Sequence, residues 1–282
     1  MNEICDACLA SGVLPSGALE VLEWSVNEVT GNILDHSGEQ TGVVQVVFLP
    51  AQQHVAFVVC DNGCGIPTAM RSAFPAYSKD EEALAAAVEK GITSDSTGNN
   101  RGYGLAGLIA IAQQCDGYAN ILSGRAKLSV RDAQIHCNLH FPPVQGTVVD
   151  LNFSTSSEID AENVLGVEPV SYFETEFEAN QSEEYQVDLA EKIQSFGNRP
   201  AGQRAYNLIS NLLSNSPSAR VIVDMSGVRL VTSSFADEFF GTLFTILGPV
   251  GFMTRIELKN LTGINRSIVD DAINERARNP KS

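Results

Sequence analysis

From residue 17 to residue 35, apolar residues recur at helical spacing: Leu19, Leu22, Val26, Val29, Ile33 and Leu34. That pattern predicts an amphipathic helix over 17–35, with Ser16 placed to cap it. Glu28, Asn32 and His36 follow one another at intervals of four on a second stripe of the same helix. Core packing has no use for a carboxylate, an amide and an imidazole in one row, so this stripe is either a solvated face or a working one. Two strand-like segments follow at 42–50 and 54–60, joined by a short Ala-Gln-Gln turn. An alanine-rich helix is expected at 81–90 with Asp80 as its cap, and a strongly apolar helix at 105–114. Strand patterns then recur at 118–123, 127–131, 134–141 and 147–153. Helices mixed with hairpin-connected strands imply an α+β sandwich, with helices on one face of a mostly antiparallel sheet.

The periodicity fades over 154–182, which is rich in Glu and lies inside a stretch without Lys or Arg between Arg131 and Lys192. It reads as an acidic linker, although Tyr172, Phe173 and Phe177 signal that part of it docks. A second pattern starts near Tyr185: a helix at 202–213, a buried strand at 220–224, a turn and short strand at 225–231 and a helix at 235–247 behind Thr232, Ser233 and Ser234. A strand at 255–260 and a helix at 267–278 complete it. Alternating strands and helices predict a small α/β domain. The expected division is thus 1–153, linker 154–182, and 183–282.

Composition narrows the function classes. The net charge of −16 disfavours a general nucleic-acid binder and an anionic membrane surface, both of which need basic patches. No apolar run reaches the roughly 20 residues that span a bilayer, and the acidic N-terminus does not resemble a signal peptide. A chain this long builds its core without cross-links, so Cys5, Cys8, Cys60, Cys64, Cys115 and Cys137 read as reduced thiols of a cytoplasmic protein. Cys5-x-x-Cys8 is half of a zinc pattern, and no second close pair completes it.

The candidate chemistry sits where the strand 55–60 ends, at Asp61-Asn62-Gly63-Cys64-Gly65-Ile66-Pro67. A carboxylate at a strand end can accept hydrogen bonds from an amino group, and glycines reach backbone angles closed to other residues. Pro67 suits the first turn of a following helix. The bland alternative is an Asp-Asn-Gly turn. Farther on, the polar, glycine-dense segment 91–104 has the composition of a lid. It runs into the 105–114 helix through Arg101-Gly102-Tyr103-Gly104-Leu105, and glycines at a helix N-terminus offer free N–H groups to an anion.

Taken in order, these stretches resemble the ATPase superfamily of gyrase, the heat-shock chaperone, histidine kinases and mismatch-repair proteins. Glu28-x-x-x-Asn32 with His36 resembles its N-box, Asp61-x-Gly63-x-Gly65 its first glycine box, Arg101 to Leu105 its second, and Gly146-Thr147 its late Gly-Thr. The ending Asn-x-x-x-His-Ser is most similar to the serine-kinase-like branch of bacterial anti-sigma factors. The resemblance implies that ATP and magnesium bind here. Asp61 would accept the adenine amino group, with Thr147 in support and Gly63, Gly65 and Ile66 against the ring. Asn32 would hold magnesium, Glu28 would act as general base, and Arg101, Gly102, Gly104 and Leu105 would meet the phosphates. His36 lies inside the nucleotide domain's own first helix, which speaks against histidine autophosphorylation.

The stretch from Val223 to Glu238 resembles a STAS-like domain related to anti-sigma-factor antagonists. In those proteins a serine at the start of the matching helix is phosphorylated, and Ser233 and Ser234 occupy that place. Thr232 and Phe235 depart from the usual Asp-Ser-Ser-Gly, and helix capping is the plainer role for these serines. The expected function is an ATP-gated signalling switch with slow hydrolysis or serine phosphoryl transfer, working with a protein partner or a second copy. The alternatives are a nucleotide-bound scaffold and, disfavoured by the acidic balance, a fragment of a DNA-manipulating ATPase.

Overall fold

The computed structural model describes residues 2–38, 40–89, 91, 104–178, 184–216 and 218–278. The chain forms two compact units, Gly17–Pro169 and Asn2–Ser16 together with Val170–Ser282.

The first unit opens with helix α2 (Ala18–His36), which follows α1 (Asn2–Ser11) in the chain. Strands β1 (Val43–Leu49) and β2 (His54–Cys60) come next, then helices α3 (Ile66–Ala73), α4 (Asp80–Ala87) and α5 (Gly104–Gln114). A long hairpin of β3 (Tyr118–Arg131) and β4 (Gln134–Ser154) and the short helix α6 (Ala161–Leu165) complete it. The four strands lie in the order β1-β2-β4-β3, all antiparallel. The four strand patterns expected over 118–153 are two continuous strands, broken by a register shift around Gly124.

Period-two alternation decides what the helices cover. Val55, Phe57 and Val59 on β2 are buried, as are Val149, Leu151 and Phe153 on β4 and Ala119 and Ile121 on β3. In register these residues form apolar rows across the sheet. On α2, Leu19, Leu22, Val26, Val29 and Ile33 are buried, as their spacing predicts, but Leu34 is 65% exposed. One residue beyond Ile33 on a 100° helical step, Leu34 rotates off the apolar stripe.

Two capping expectations fail. Gly17, not Ser16, is the N-cap of α2, at φ 81 with no side-chain cap. A Cβ there would collide with the Ile159 carbonyl, so only glycine fits. Asp80 is the first residue of α4 rather than its cap. Its carboxylate accepts from the Arg71 guanidinium at 2.6 Å and the Arg125 amide at 2.7 Å, charge-assisted bonds that tie α4 to α3 and β3.

The second unit has a parallel sheet in the order β5-β6-β7 (Glu184–Asp188, Arg220–Asp224, Ile256–Lys259). Its helices are α7 (Tyr172–Phe177), α8 (Leu189–Lys192), α9 (Arg199–Asn215), α10 (Ser233–Ala236), α11 (Thr242–Arg255) and α12 (Gly263–Arg278), with a π-turn at Asp237–Gly241. Residues 225–231 contain no strand. Phe235, Phe239 and Phe240 are fully buried and supply much of the core. Asp237 pins the π-turn by accepting from Arg276 at 2.6 Å and pairing with Arg199 at 2.9 Å.

The expected boundaries move in two ways. Residues 154–182 are not one linker: α6 packs with α2 and α5, whereas α7 buries Tyr172, Phe173 and Phe177 in the second unit. The N-terminal residues 2–16, expected in the nucleotide domain, belong to the second unit. The cause is Asn211 on α9, which is 2% exposed. Its amide donates to the Leu9 and Gly12 carbonyls at 3.0 and 2.9 Å and accepts from the Leu14 N–H at 2.7 Å. Asn207 adds a bond to the Ala10 carbonyl at 2.9 Å, and Lys192 bridges Asp6 and Glu176. Cys5 and Cys8 are buried in the same segment.

Asn211→Ala removes its bonds to Leu9, Gly12 and Leu14 and leaves buried backbone groups unpaired. It should lower the unit's unfolding free energy by about 1–3 kcal/mol and expose residues 2–16 to early cleavage in limited proteolysis. An unchanged cleavage pattern and denaturation midpoint would refute the anchoring role.

Candidate functional site

The helix-covered face of the sheet is apolar in row after row up to the end of β2 and the register shift of the β3–β4 hairpin around Gly124. There, Asp61 follows Val59 on β2, Thr147 precedes Val149 on β4, and Ser123 follows Ile121 on β3. The Asp61 N–H donates to the Thr147 carbonyl at 3.0 Å, and Thr147 pairs in register with Ser123. The alternation that puts valine and leucine into the core therefore puts a carboxylate and two hydroxyls side by side at its rim. Asp61 and Thr147 are half-buried and Ser123 fully buried.

Two turns close over this row. In the first, the Gly63 N–H donates to Asp61 Oδ1 at 2.8 Å, and Gly65 enters α3 at φ 79, ψ 154. Pro67 lies in the first turn of α3, as its fixed φ predicts. In the second, Gly146 has φ 72. Side chains are barred at all three glycines by the protein itself. A Cβ at Gly63 would strike Ser37, one at Gly65 would lie 2.8 Å from Ser123 Oγ, and one at Gly146 would strike the Asp61 carbonyl. The smallness of Gly63 and Gly65 thus serves close backbone packing before it serves any ligand. Gln145 ties the two turns, donating to the Gly63 carbonyl at 3.0 Å.

The first turn is also fastened to α2. The Cys64 N–H donates to the Ser37 carbonyl at 2.9 Å and the Cys64 thiol to the His36 carbonyl at 3.2 Å. That docks the helix carrying Glu28 and Asn32 against the turn carrying Asp61. Helix α5 approaches α2 through two glycines: a Cβ at Gly107 would strike the Trp24 ring, and one at Gly104 would strike the Glu28 carboxylate. Glu28 therefore faces the N-terminus of an eleven-residue helix, where backbone N–H groups favour negative charge. It is half-buried, and desolvation raises its pKa above the usual carboxylate value, in the direction a general base near neutrality requires. Asn32 lies one turn farther along α2 and is half-buried.

Ile66 and Leu105 meet in one apolar cluster with Met70, Ala83, Ala86 and Ala87, which joins α3, α4 and α5 beside the row. The structure thus assembles Asp61, Gly63, Gly65, Ile66 and Thr147, and it fastens α2, with Glu28 and Asn32, to their turn and to Gly104. Arg101, Gly102 and the lid expected over 91–104 lie outside the described residues, apart from Gly91 and Gly104. Among the described residues no cluster of three or more His, Cys, Asp or Glu could hold a metal ion. Sequence reasoning missed Ser123 and Gln145. The signal for Ser123 was present: a hydroxyl interrupts the run Ala119, Ile121 at the next inward position.

Far along the chain, Thr232 caps α10, accepting from the Phe235 N–H at 3.2 Å. Ser233 and Ser234 are exposed. The capping expected of the three hydroxyls is done by the threonine.

Residues 20–154 match the family model described as histidine kinase-, DNA gyrase B-, and HSP90-like ATPase. Residues 201–265 match the STAS-like domain of unknown function DUF4325. No curated protein matches the chain significantly. Among the described residues, no helix is long and apolar enough to cross a membrane.

Two outcomes follow from this geometry. Gly65→Ala forces a side chain into a backbone region open essentially to glycine, at a cost of about 1–3 kcal/mol, so thermal melting should show a destabilised first unit. For Glu28 the sign follows from its raised folded-state pKa. As pH rises, the unfolded chain ionises first, so ionisation weakens the native state between the ordinary value and the raised one, and the loss persists above it. Glu28→Gln should melt higher than the native chain at neutral pH. The difference should vanish below about pH 4, where the carboxyl is protonated in both states.

Proposed function

On a chain that carries an ATPase-family domain at residues 20–154 and a STAS-like domain at 201–265, we propose a Mg-ATP-binding regulatory switch whose ATP site holds a working general base. Members of the ATPase family bind ATP. The observation that carries the finer reading is the polar row at the sheet's rim, together with a half-buried Glu28 at the N-terminus of α5.

The fit rests on the donors and acceptors present. Among the described residues Gly63 engages Oδ1 of Asp61, and in this reading Oδ2 accepts from the adenine amino group, with the Thr147 hydroxyl beside it. The face below is apolar, which suits the flat base. Gly104 and the first turn of α5 offer N–H groups to phosphate. Arg101 and Gly102 complete that grip in this reading, with Leu105 and Ile66 as its apolar walls. Asn32 would hold magnesium, which when bound offsets the charge of the phosphates. Glu28 takes the proton from the attacking hydroxyl, whether of water or of a serine. Kinase and ATPase sites share this clamp and differ in which nucleophile enters.

Two features support a signalling role over plain hydrolysis. Ser233 and Ser234 stand exposed at the start of α10, released from capping by Thr232, which suits them as phosphoacceptors. The chain also leaves the second unit at residue 16 and returns at 170, so a change in the ATPase unit reaches the STAS-like unit along two covalent connections. The consumer of the signal is a protein partner or a second copy of the chain.

Purified protein incubated with Mg-ATP should release phosphate or gain the mass of one phosphate, read by intact mass. A gain lost in Ser233→Ala/Ser234→Ala identifies serine phosphorylation, and free phosphate without a gain identifies an ATPase switch. Glu28→Gln should lower either rate by about 10²–10⁴-fold while ATP still binds. Bound ATP with neither product, in the native chain, would replace this reading with a nucleotide-bound scaffold.

A further inference from the structure

The hydrogen atoms of the polar row can be assigned by counting. Ser123 is fully buried, and its hydroxyl has one proton to give and two lone pairs to accept with. Three groups lie within bonding distance of Oγ: the Ile66 N–H at 2.9 Å, the Gly146 carbonyl at 2.9 Å and the Thr147 hydroxyl at 3.1 Å. The Ile66 amide can only donate. The Gly146 carbonyl can only accept, so it takes the serine proton. One lone pair of Ser123 then remains, and the third contact is satisfied only when Thr147 donates into it. The reverse arrangement would strip the Gly146 carbonyl of this donor inside a buried turn, which is costly.

The consequence falls on the pocket side. With its proton held by Ser123, Thr147 can only accept from a ligand. Asp61, next in the row, is a carboxylate and also only accepts; its Oδ1 already takes the Gly63 N–H at 2.8 Å. The rim thus presents acceptors alone. We infer that Ser123 is a positioning residue for base selectivity: by fixing the Thr147 proton it leaves the row two acceptors for the two hydrogens of an amino-purine, which a purine without that group cannot supply. This rests on the reading that the row binds adenine.

The test compares ATP with purine riboside triphosphate, in which a hydrogen replaces the exocyclic amino group and the ring nitrogens are unchanged. Affinities are read by titration calorimetry on the full chain, with folding checked by circular dichroism and melting. The native chain should prefer ATP. Ser123→Ala frees the Thr147 hydroxyl to turn its proton toward the ligand, and the preference should fall by about tenfold, the weight of one hydrogen bond. Thr147→Val, which removes the acceptor and leaves Ser123 its other two partners, should reduce it similarly, and Thr147→Ser should retain it. The double variant Ser123→Ala/Thr147→Val should fall no further than Thr147→Val alone, because both act on one relay.

A folded Ser123→Ala variant with native preference would overturn the assignment. If that variant does not fold, native preference in Thr147→Val overturns it instead. Tight ATP binding with unchanged ratios removes only the proton assignment, whereas a native chain that binds neither nucleotide removes the adenine reading beneath it.

Discussion

The site depends on two backbone turns that approach closer than any side chain allows. Gly65 rests on Ser123, and Gly146 rests on the Asp61 backbone. Each of these glycines has a positive φ, so the turns could neither bend nor meet with ordinary residues. Because they meet, Ser123 is sealed in and can reach Ile66, Gly146 and Thr147 at once. Because Gly63 also rests on Ser37, the end of α2 is fixed to the same turn. Remove one glycine, and the rim of the sheet, the register of α2 and the entry to α3 lose their common support. The sheet below provides the rigid base. Its apolar rows have only one way to face the helices, and a slip of one residue would turn the whole core outward.

Much of this was legible in the chain, for a reason visible in particular residues. Val55, Phe57 and Val59 alternate cleanly, so β2 and the inward direction of Asp61 follow from period two. The buried stripe of α2 follows from period 3.6. What escaped the sequence were choices decided by distant partners. Asp80 looks like a cap until Arg71 and Arg125 claim its carboxylate. Ser16 looks like a cap until Ile159 leaves room only for Gly17. Residues 2–16 precede the ATPase unit in the chain but fold with the other unit, because the amide that binds them, Asn211, lies about 200 residues downstream. No local propensity encodes such a partner. Ser123 was missed on different grounds: its position breaks an apolar alternation by one hydroxyl, a signal too small to notice until Thr147 is known to stand opposite it.

Helix α2 shows how one element serves packing and chemistry together. One stripe supplies Leu19, Leu22, Val26 and Val29 to the core. Another carries Glu28 toward Gly104, where α5 begins. The approach is close because α5 offers glycine at both points of contact, Gly104 to Glu28 and Gly107 to Trp24. A carboxylate held there is partly stripped of water, and burial raises its pKa. Stability would be better served by an uncharged residue at 28.

The nested connectivity gives that arrangement a direction. Helix α2 starts one residue after Gly17, where the chain enters the ATPase unit, and α6 ends four residues before Pro169, where it leaves. Gly17 lies against Ile159, just ahead of α6, and α6 packs on both α2 and α5. The two connections are therefore joined through the helices that hold Glu28 and Gly104. In the proposed switch, any shift of α5 on α2 when phosphate is gripped or released reaches both connections through packed helices. A unit attached by a single flexible tail could reorder its lid without its neighbour registering the change. In the proposed switch, a unit inserted into the other's chain and entered through the helix that carries Glu28 is tied to it at both ends.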